Sequence, residues 1–157
     1  MSSGDFTTGL ATTYPNYDMY ITRDGGDTFT LVTLPPNVPD QDFFAVSANS
    51  DGSKLVAVAL GGFLWTTTDK GVTWIKGGDT NKQNFYGVSV SGDGNTILAA
   101  VTASPDTTLG GFLWISTDGG TTFVHRAFRG QWQRAATAAA GNHMYAAIWG
   151  GDLYTSP

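Results

Sequence analysis

The stretch from His125 to Arg134 holds three of the four arginines in the chain, Arg126, Arg129 and Arg134, with Gln131 and Trp132 among them. Guanidinium groups offer planar pairs of donors to a carboxylate, and an indole face can stack on a sugar ring or a cation. Trp149 stands just before a Gly150-Gly151 turn, and Asp106 sits in Thr102–Leu109, where one repeat unit is longer than its neighbour. Arg126, Arg129, Gln131, Trp132, Trp149 and Asp106 are therefore the candidate ligand-binding residues. Trp132 has a second reading, in which it starts the first strand of the last unit and packs between units.

Other chemistry is thinly represented. The chain contains 13 acidic residues and every one is an aspartate. His125 and His143 are the only histidines and have no metal-ligand spacing. Asp79-Thr80-Asn81-Lys82-Gln83-Asn84 begins like a calcium loop but carries Asn84 where an EF-hand needs glycine. No P-loop, nucleophile elbow or dinucleotide fingerprint occurs. No metal and no cofactor is expected. With no cysteine there is no thiolate chemistry and no disulfide.

These side chains must be positioned by a repeating scaffold. Gly61-Gly62-Phe63-Leu64-Trp65 recurs letter for letter as Gly110-Gly111-Phe112-Leu113-Trp114, and Gly150-Gly151-Asp152-Leu153-Tyr154 is a looser third copy. A turn of one design recurs three times: Thr22-x-Asp24-x-Gly26-x-Thr28-Phe29, Thr67-x-Asp69-x-Gly71-x-Thr73-Trp74 and Ser116-x-Asp118-x-Gly120-x-Thr122-Phe123. The aspartates are 69−24 = 45 and 118−69 = 49 positions apart, a spacing that matches one propeller blade of roughly 40–50 residues. Within a unit, alternating apolar strands are separated by Asp-Gly and Gly-Gly turns, which favour tight hairpins. Four antiparallel strands, A to D, make one blade. In each recurring turn the aspartate accepts hydrogen bonds from its own turn, the glycine takes the left-handed position, and the closing aromatic packs beneath the hairpin.

The recurring turn resembles the Asp-box, or BNR repeat, of sialidases, xyloglucan-cleaving glycosidases, sortilin-type receptors and a photosystem II assembly factor. The resemblance implies an all-β propeller of about four blades, in one domain with units at approximately 1–34, 41–78, 84–126 and 131–157. It implies a turn and not a chemistry, so Asp24, Asp69 and Asp118 are expected to stabilise the fold rather than to catalyse. Sialidases grip a carboxylate with three arginines from different blades and use a tyrosine–glutamate pair. Here three arginines fall in one crossover and no glutamate exists, so that machinery cannot be assembled.

Strand parity puts the A–B turns and Asp-box turns on one face, and the B–C turns and D–A crossovers on the other. The second face carries the variable loops, Arg126–Trp132 among them. An interaction or scaffold propeller that binds a protein or a glycan through that face is the first reading. A glycosidase fragment using two of Asp40, Asp42, Asp79 and Asp106, or an accessory subunit of a large assembly, are the alternatives. A net charge of −5 and a pI near 4.6 argue against nucleic acid. No apolar run approaches the roughly 20 residues of a membrane span. The low charge and the wealth of Gly, Thr and Trp suit an extracellular or lumenal β protein, although no Asn-x-Ser/Thr acceptor occurs. The units read B-C-D, A-B-C-D, A-B-C-D and A-B-C, so completion by further blades or by another chain is expected, with a four-bladed monomer as the alternative.

Overall fold

The computed structural model describes residues 7–35, 41–78, 82–103 and 110–156, and these form four antiparallel sheets without a helix. The first contains β1 (Gly9–Thr12), β2 (Met19–Thr22) and β3 (Thr30–Leu31). The second contains β4 (Asp42–Ala48), β5 (Leu55–Leu60), β6 (Leu64–Thr67) and β7 (Ile75–Lys76). The third contains β8 (Asn84–Val90), β9 (Ile97–Ala103), β10 (Gly111–Ser116) and β11 (Val124–Gly130). The fourth contains β12 (Trp132–Thr137), β13 (Met144–Ile148) and β14 (Leu153–Ser156). In each sheet the strands lie in chain order, so the B-C-D, A-B-C-D, A-B-C-D, A-B-C pattern holds strand for strand.

The sheets stack face to face, and the sequence shows why. A strand buried on one face alternates apolar with polar residues, whereas Leu55–Leu60 is apolar throughout and buried almost throughout. Leu55, Ala57 and Ala59 face the first sheet, while Val56 and Val58 face the third. In β9, Ile97, Ala99 and Val101 face the second sheet, while Leu98 and Ala100 face the fourth. Aromatics at the start of strand A complete each interface: Phe43, Phe85 and Trp132 are all buried. Packing thus links first sheet to second, second to third and third to fourth. Among the described residues, the first and fourth sheets share no extended packing. Among the described residues the molecule is a partial propeller of about four blades, with three strands in the first and fourth sheets.

Two expectations change. The stretch 126–130 is not a crossover but the continuation of β11, because β10 extends back to Gly111 and pairs with Gly130. The extra length is absorbed by a bulge, in which Leu113 pairs with Arg126 and Gly111 with Gly130. Ala127 takes a left-handed φ of 63° within it. The closing aromatics also differ from one another. Trp74 and Phe123 are buried, but Phe29 is 51 % exposed, since no described sheet lies on its side of the first blade.

At Gly110-Gly111 the Gly-Gly pair has a steric cause. Gly110 has φ 74°, and a Cβ there would come within 2.7 Å of the Gly130 backbone. At Gly111 a Cβ would meet the Val101 carbonyl oxygen at 2.5 Å. A side chain at either position forces strands apart.

Candidate functional site

On one face of the stack, the three recurring aspartates close their turns on themselves. Thr67 Oγ1 donates to Asp69 Oδ1 at 2.6 Å, Thr73 N donates to the same oxygen at 2.9 Å, and Thr73 Oγ1 donates to Oδ2 at 2.6 Å. Asp118 accepts the same set from Ser116 and Thr122, and Asp24 from Thr22 and Thr28. Gly26, Gly71 and Gly120 each donate their backbone N–H to the leading hydroxyl of the turn. Donors from Thr28, Thr67 and Thr122 hold Asp24, Asp69 and Asp118, respectively, well below the ordinary carboxylate value of 3.8. Such carboxylates are poor general acids near neutral pH. Their depressed folded-state values mean that they contribute stability above the unfolded value and lose it as pH falls. Tm is therefore expected to hold steady down to about pH 4 and to fall below it. Asp69→Asn should lower Tm at pH 7 and flatten that acid limb. An unchanged limb in melts across pH 2–7 would remove the turn aspartates from the account.

Further contacts lock this face. Arg23 donates to the Gly71 carbonyl at 3.1 Å, Lys54 donates to the Gly119 carbonyl, and Gly92 N reaches Ala139 O at 2.8 Å. Burial lowers the Lys54 ammonium, and Asp118 and Asp93 act in the opposite sense.

The opposite face carries the arginine-bearing corner. Arg129 is exposed on β11 with its guanidinium 4.7 Å from the Phe112 ring, and His125 stacks on that ring at 5.2 Å. Gln131 accepts from Thr102 Oγ1 at 2.6 Å and, through its carbonyl, from Trp149 N at 3.0 Å. Trp149 is 73 % exposed, whereas Arg126 lies mid-strand on the outer wall, opposite Leu113. Asp106, Asp40 and Asp79 lie outside the described residues. Trp132 is a correction: it is fully buried between the third and fourth sheets, with Nε1 donating to the Phe128 carbonyl at 3.1 Å. It presents no ring to a ligand on this face.

The structure also assembles a group that sequence reasoning missed. Tyr14, Tyr17, Phe44 and Tyr86 form a continuous aromatic row across three sheets, with ring centroids 5.7, 6.3 and 4.4 Å apart. Phe44 and Tyr86 occupy the same place in successive A strands, each directly after the buried Phe43 or Phe85. Tyr14 and Tyr17 come from the B–C turn of the first blade. That turn is fixed by Thr13 N on Asp18 O and Tyr17 N on Thr13 O, both at 3.0 Å, and by Phe43 N on Tyr17 O at 3.1 Å. Tyr17 has φ 57°, a left-handed conformation unusual for a bulky residue. The residues on either side of it, Asn16 and Asp18, line a cavity of about 520 Å³ whose wall includes Thr33, Gln41 and Asp42. Among the described residues no lysine, arginine or histidine lines it. None of the four rings lines that cavity; aromatic faces by themselves suit sugar rings or apolar and cationic side chains. The signal in the sequence was the doublet Phe43-Phe44 and Phe85-Tyr86, spaced 86−44 = 42 positions apart. Among the described residues no three His or Asp side chains form a metal-binding group.

No protein-family profile matches the chain, and no curated protein does. Solved structures do. YCF48 bound to a D1 peptide superposes with a TM-score of 0.67 at 20% identity, covering 97% of this chain and 48% of that one. The GH74 enzyme of Niastella koreensis gives 0.69 at 20% identity, over 94% of this chain and 26% of the enzyme. YCF48 from Cyanidioschyzon merolae gives 0.58 at 16% identity, over 94% and 50%. The chain thus spans about half the length of these YCF48 structures, and the likeness establishes the propeller fold.

Proposed function

We propose that the chain is a non-catalytic interaction propeller, a single domain whose three recurring turns are Asp-boxes, and that it binds an extended protein segment or a carbohydrate across the face opposite those turns. The observation that carries this is the aromatic row Tyr14–Tyr17–Phe44–Tyr86, which runs across three sheets. A YCF48 of the same fold is seen with a peptide, which supports a protein partner. Trp149, Arg129 and Gln131 supply a second contact region on that face. No helix among the described residues is long and apolar enough to cross a membrane.

Aromatic anchors typically cost at least about 2 kcal/mol of binding when truncated, roughly thirtyfold in affinity. Tyr17→Ala and Phe44→Ala should each weaken binding by that factor on a glycan array or peptide array. Arg129→Ala should have a smaller effect, and Lys70→Ala, on the Asp-box face, none. Loss on Lys70→Ala with Tyr17→Ala and Phe44→Ala unaffected would place the binding face on the wrong side.

A second reading has one observation in its favour: Asp18 and Asp42 line the same cavity, and glycoside hydrolysis needs two carboxylates about one bond. Turnover of chromogenic glycosides or plant polysaccharides that disappears in Asp42→Asn would establish it over the binding role.

A further inference from the structure

The third and fourth sheets enclose a groove of about 350 Å³. Its wall repeats, position for position, a site that is filled elsewhere in the stack. Between the first and second sheets, Met19, Ile21, Phe43, Leu55, Ala57 and Trp65 are buried together with Trp74. In the corresponding places around the groove stand Leu113, Ile115, Trp132, Met144, Ala146 and Tyr154. Strand pairing fixes the correspondence. Trp65 lies opposite Ala57 and Thr67 opposite Leu55, just as Tyr154 lies opposite Ala146 and Ser156 opposite Met144. The middle interface obeys the same rule, with Phe123 buried against Leu64, Phe85, Ile97, Ala99 and Trp114. In both filled cases the aromatic comes from the aspartate turn that follows strand C of the later sheet. Among the described residues, no turn aromatic reaches the third interface. Phe128 instead rests at its margin, 5.4 Å from the rings of Trp132 and Tyr154.

A second observation concerns the strand beside the groove. β6 and β10 each pair on their outer side with a D strand, through Trp65 with Lys76, Thr66 with Ile75, Trp114 with His125 and Ile115 with Val124. β14 is the last strand of its sheet, and Tyr154 and Thr155 hold the places of Trp114 and Ile115. Leu153 is 66 % exposed there. Arg126, at the groove wall, occupies the position of Gly77, where a Cβ would lie 3.3 Å from the Phe123 ring. An aromatic entering the groove therefore meets a guanidinium.

We propose that the groove and the β14 edge together form an acceptor for an aspartate turn and the strand it leads, of the pattern Ser/Thr-x-Asp-x-Gly-x-Thr-aromatic. The aromatic fills the groove, and the following residues add to β14 as a fourth strand by backbone pairing. The partner is thus defined chemically as an aromatic-led β-strand. This rim site does not depend on the loop-face reading.

The chain supplies its own probe. A fluorescein-labelled peptide with the sequence of residues 116–128 is titrated into the full 157-residue chain and followed by anisotropy. One-to-one saturable binding is expected, with slowed hydrogen exchange at residues 153–156. The same peptide carrying Phe123→Ala should bind at least about tenfold more weakly, because the buried ring is the main apolar contribution. Since the change is in the peptide, folding of the chain is not perturbed. Absence of saturable binding, or equal affinity for the Phe123→Ala peptide, overturns the proposal. So does a chain that sediments as two copies which the peptide does not separate, because a second copy would then occupy the edge.

Discussion

Trp132→Ala is expected to destabilise the protein by about 3–5 kcal/mol, the usual cost of removing a fully buried large aromatic from a core. For a chain of this size that is a fall in Tm of roughly 6–20 °C, which thermal denaturation followed by circular dichroism would register. Three contributions add in the same direction. The side chain is fully buried and closes the third interface with Leu98, Leu113, Ile115 and Ala146. Its ring packs at 5.2 Å on Tyr154 and 5.4 Å on Phe128. Its Nε1 satisfies the Phe128 carbonyl, which loses that donor in the variant. Among the described residues the fourth sheet has three strands and shares extended packing only with the third, so the loss should fall on it first, as faster hydrogen exchange in β12–β14. The same substitution separates the core role from a ligand-anchoring one. A variant that melts within about 1 °C of the parent, far inside the expected shift, yet loses binding would restore Trp132 to the loop face.

The error over Trp132 and its neighbours shows what a repeat pattern encodes and what it does not. Turn chemistry and repetition specify the blades: Asp69 and Asp118 with their threonines, and Gly110 with its left-handed backbone, are local requirements visible in the letters. Strand order followed from the repeats and their turns, and it held for the three-stranded first and fourth sheets as well. The end of β11 was not legible, because it depends on how far β10 extends to meet it. The bulge that permits this lies at Ala127, a residue type that gives no turn signal. The aromatic row was illegible for a related reason. Phe43-Phe44 and Phe85-Tyr86 are adjacent aromatics of opposite orientation, one packed between sheets and one left at the inner face. Nothing in a doublet states which is which until the neighbouring sheet is placed. Tyr17 joins the row only through a left-handed backbone held by hydrogen bonds from outside its own residue.

Position within a motif and position within the stack make opposite claims about the turn aromatics, and substitutions at Phe29 and Trp74 decide between them. If the motif alone set the energetics, Phe29, Trp74 and Phe123 would be equivalent. The packing says otherwise. Trp74 is 4 % exposed among Met19, Ile21, Phe43 and Leu55, so Trp74→Ala should cost about 3–5 kcal/mol. Phe29 follows the same turn but is 51 % exposed, and Phe29→Ala should stay within about 0.5 kcal/mol. A third variant isolates shape from polarity. Trp74 Nε1 is buried with no hydrogen-bond partner among the described residues, and Phe123 fills the equivalent place in the next interface. Trp74→Phe removes that unpaired donor while keeping a ring, so its loss should remain under about 1.5 kcal/mol. Chemical denaturation of the three variants checks the order. Equal losses for Phe29→Ala and Trp74→Ala would mean that the aromatic stabilises its own hairpin. The rim groove would then lose its claim to be the seat of a missing turn aromatic, because a ring that serves only its own turn has no need of a neighbouring sheet.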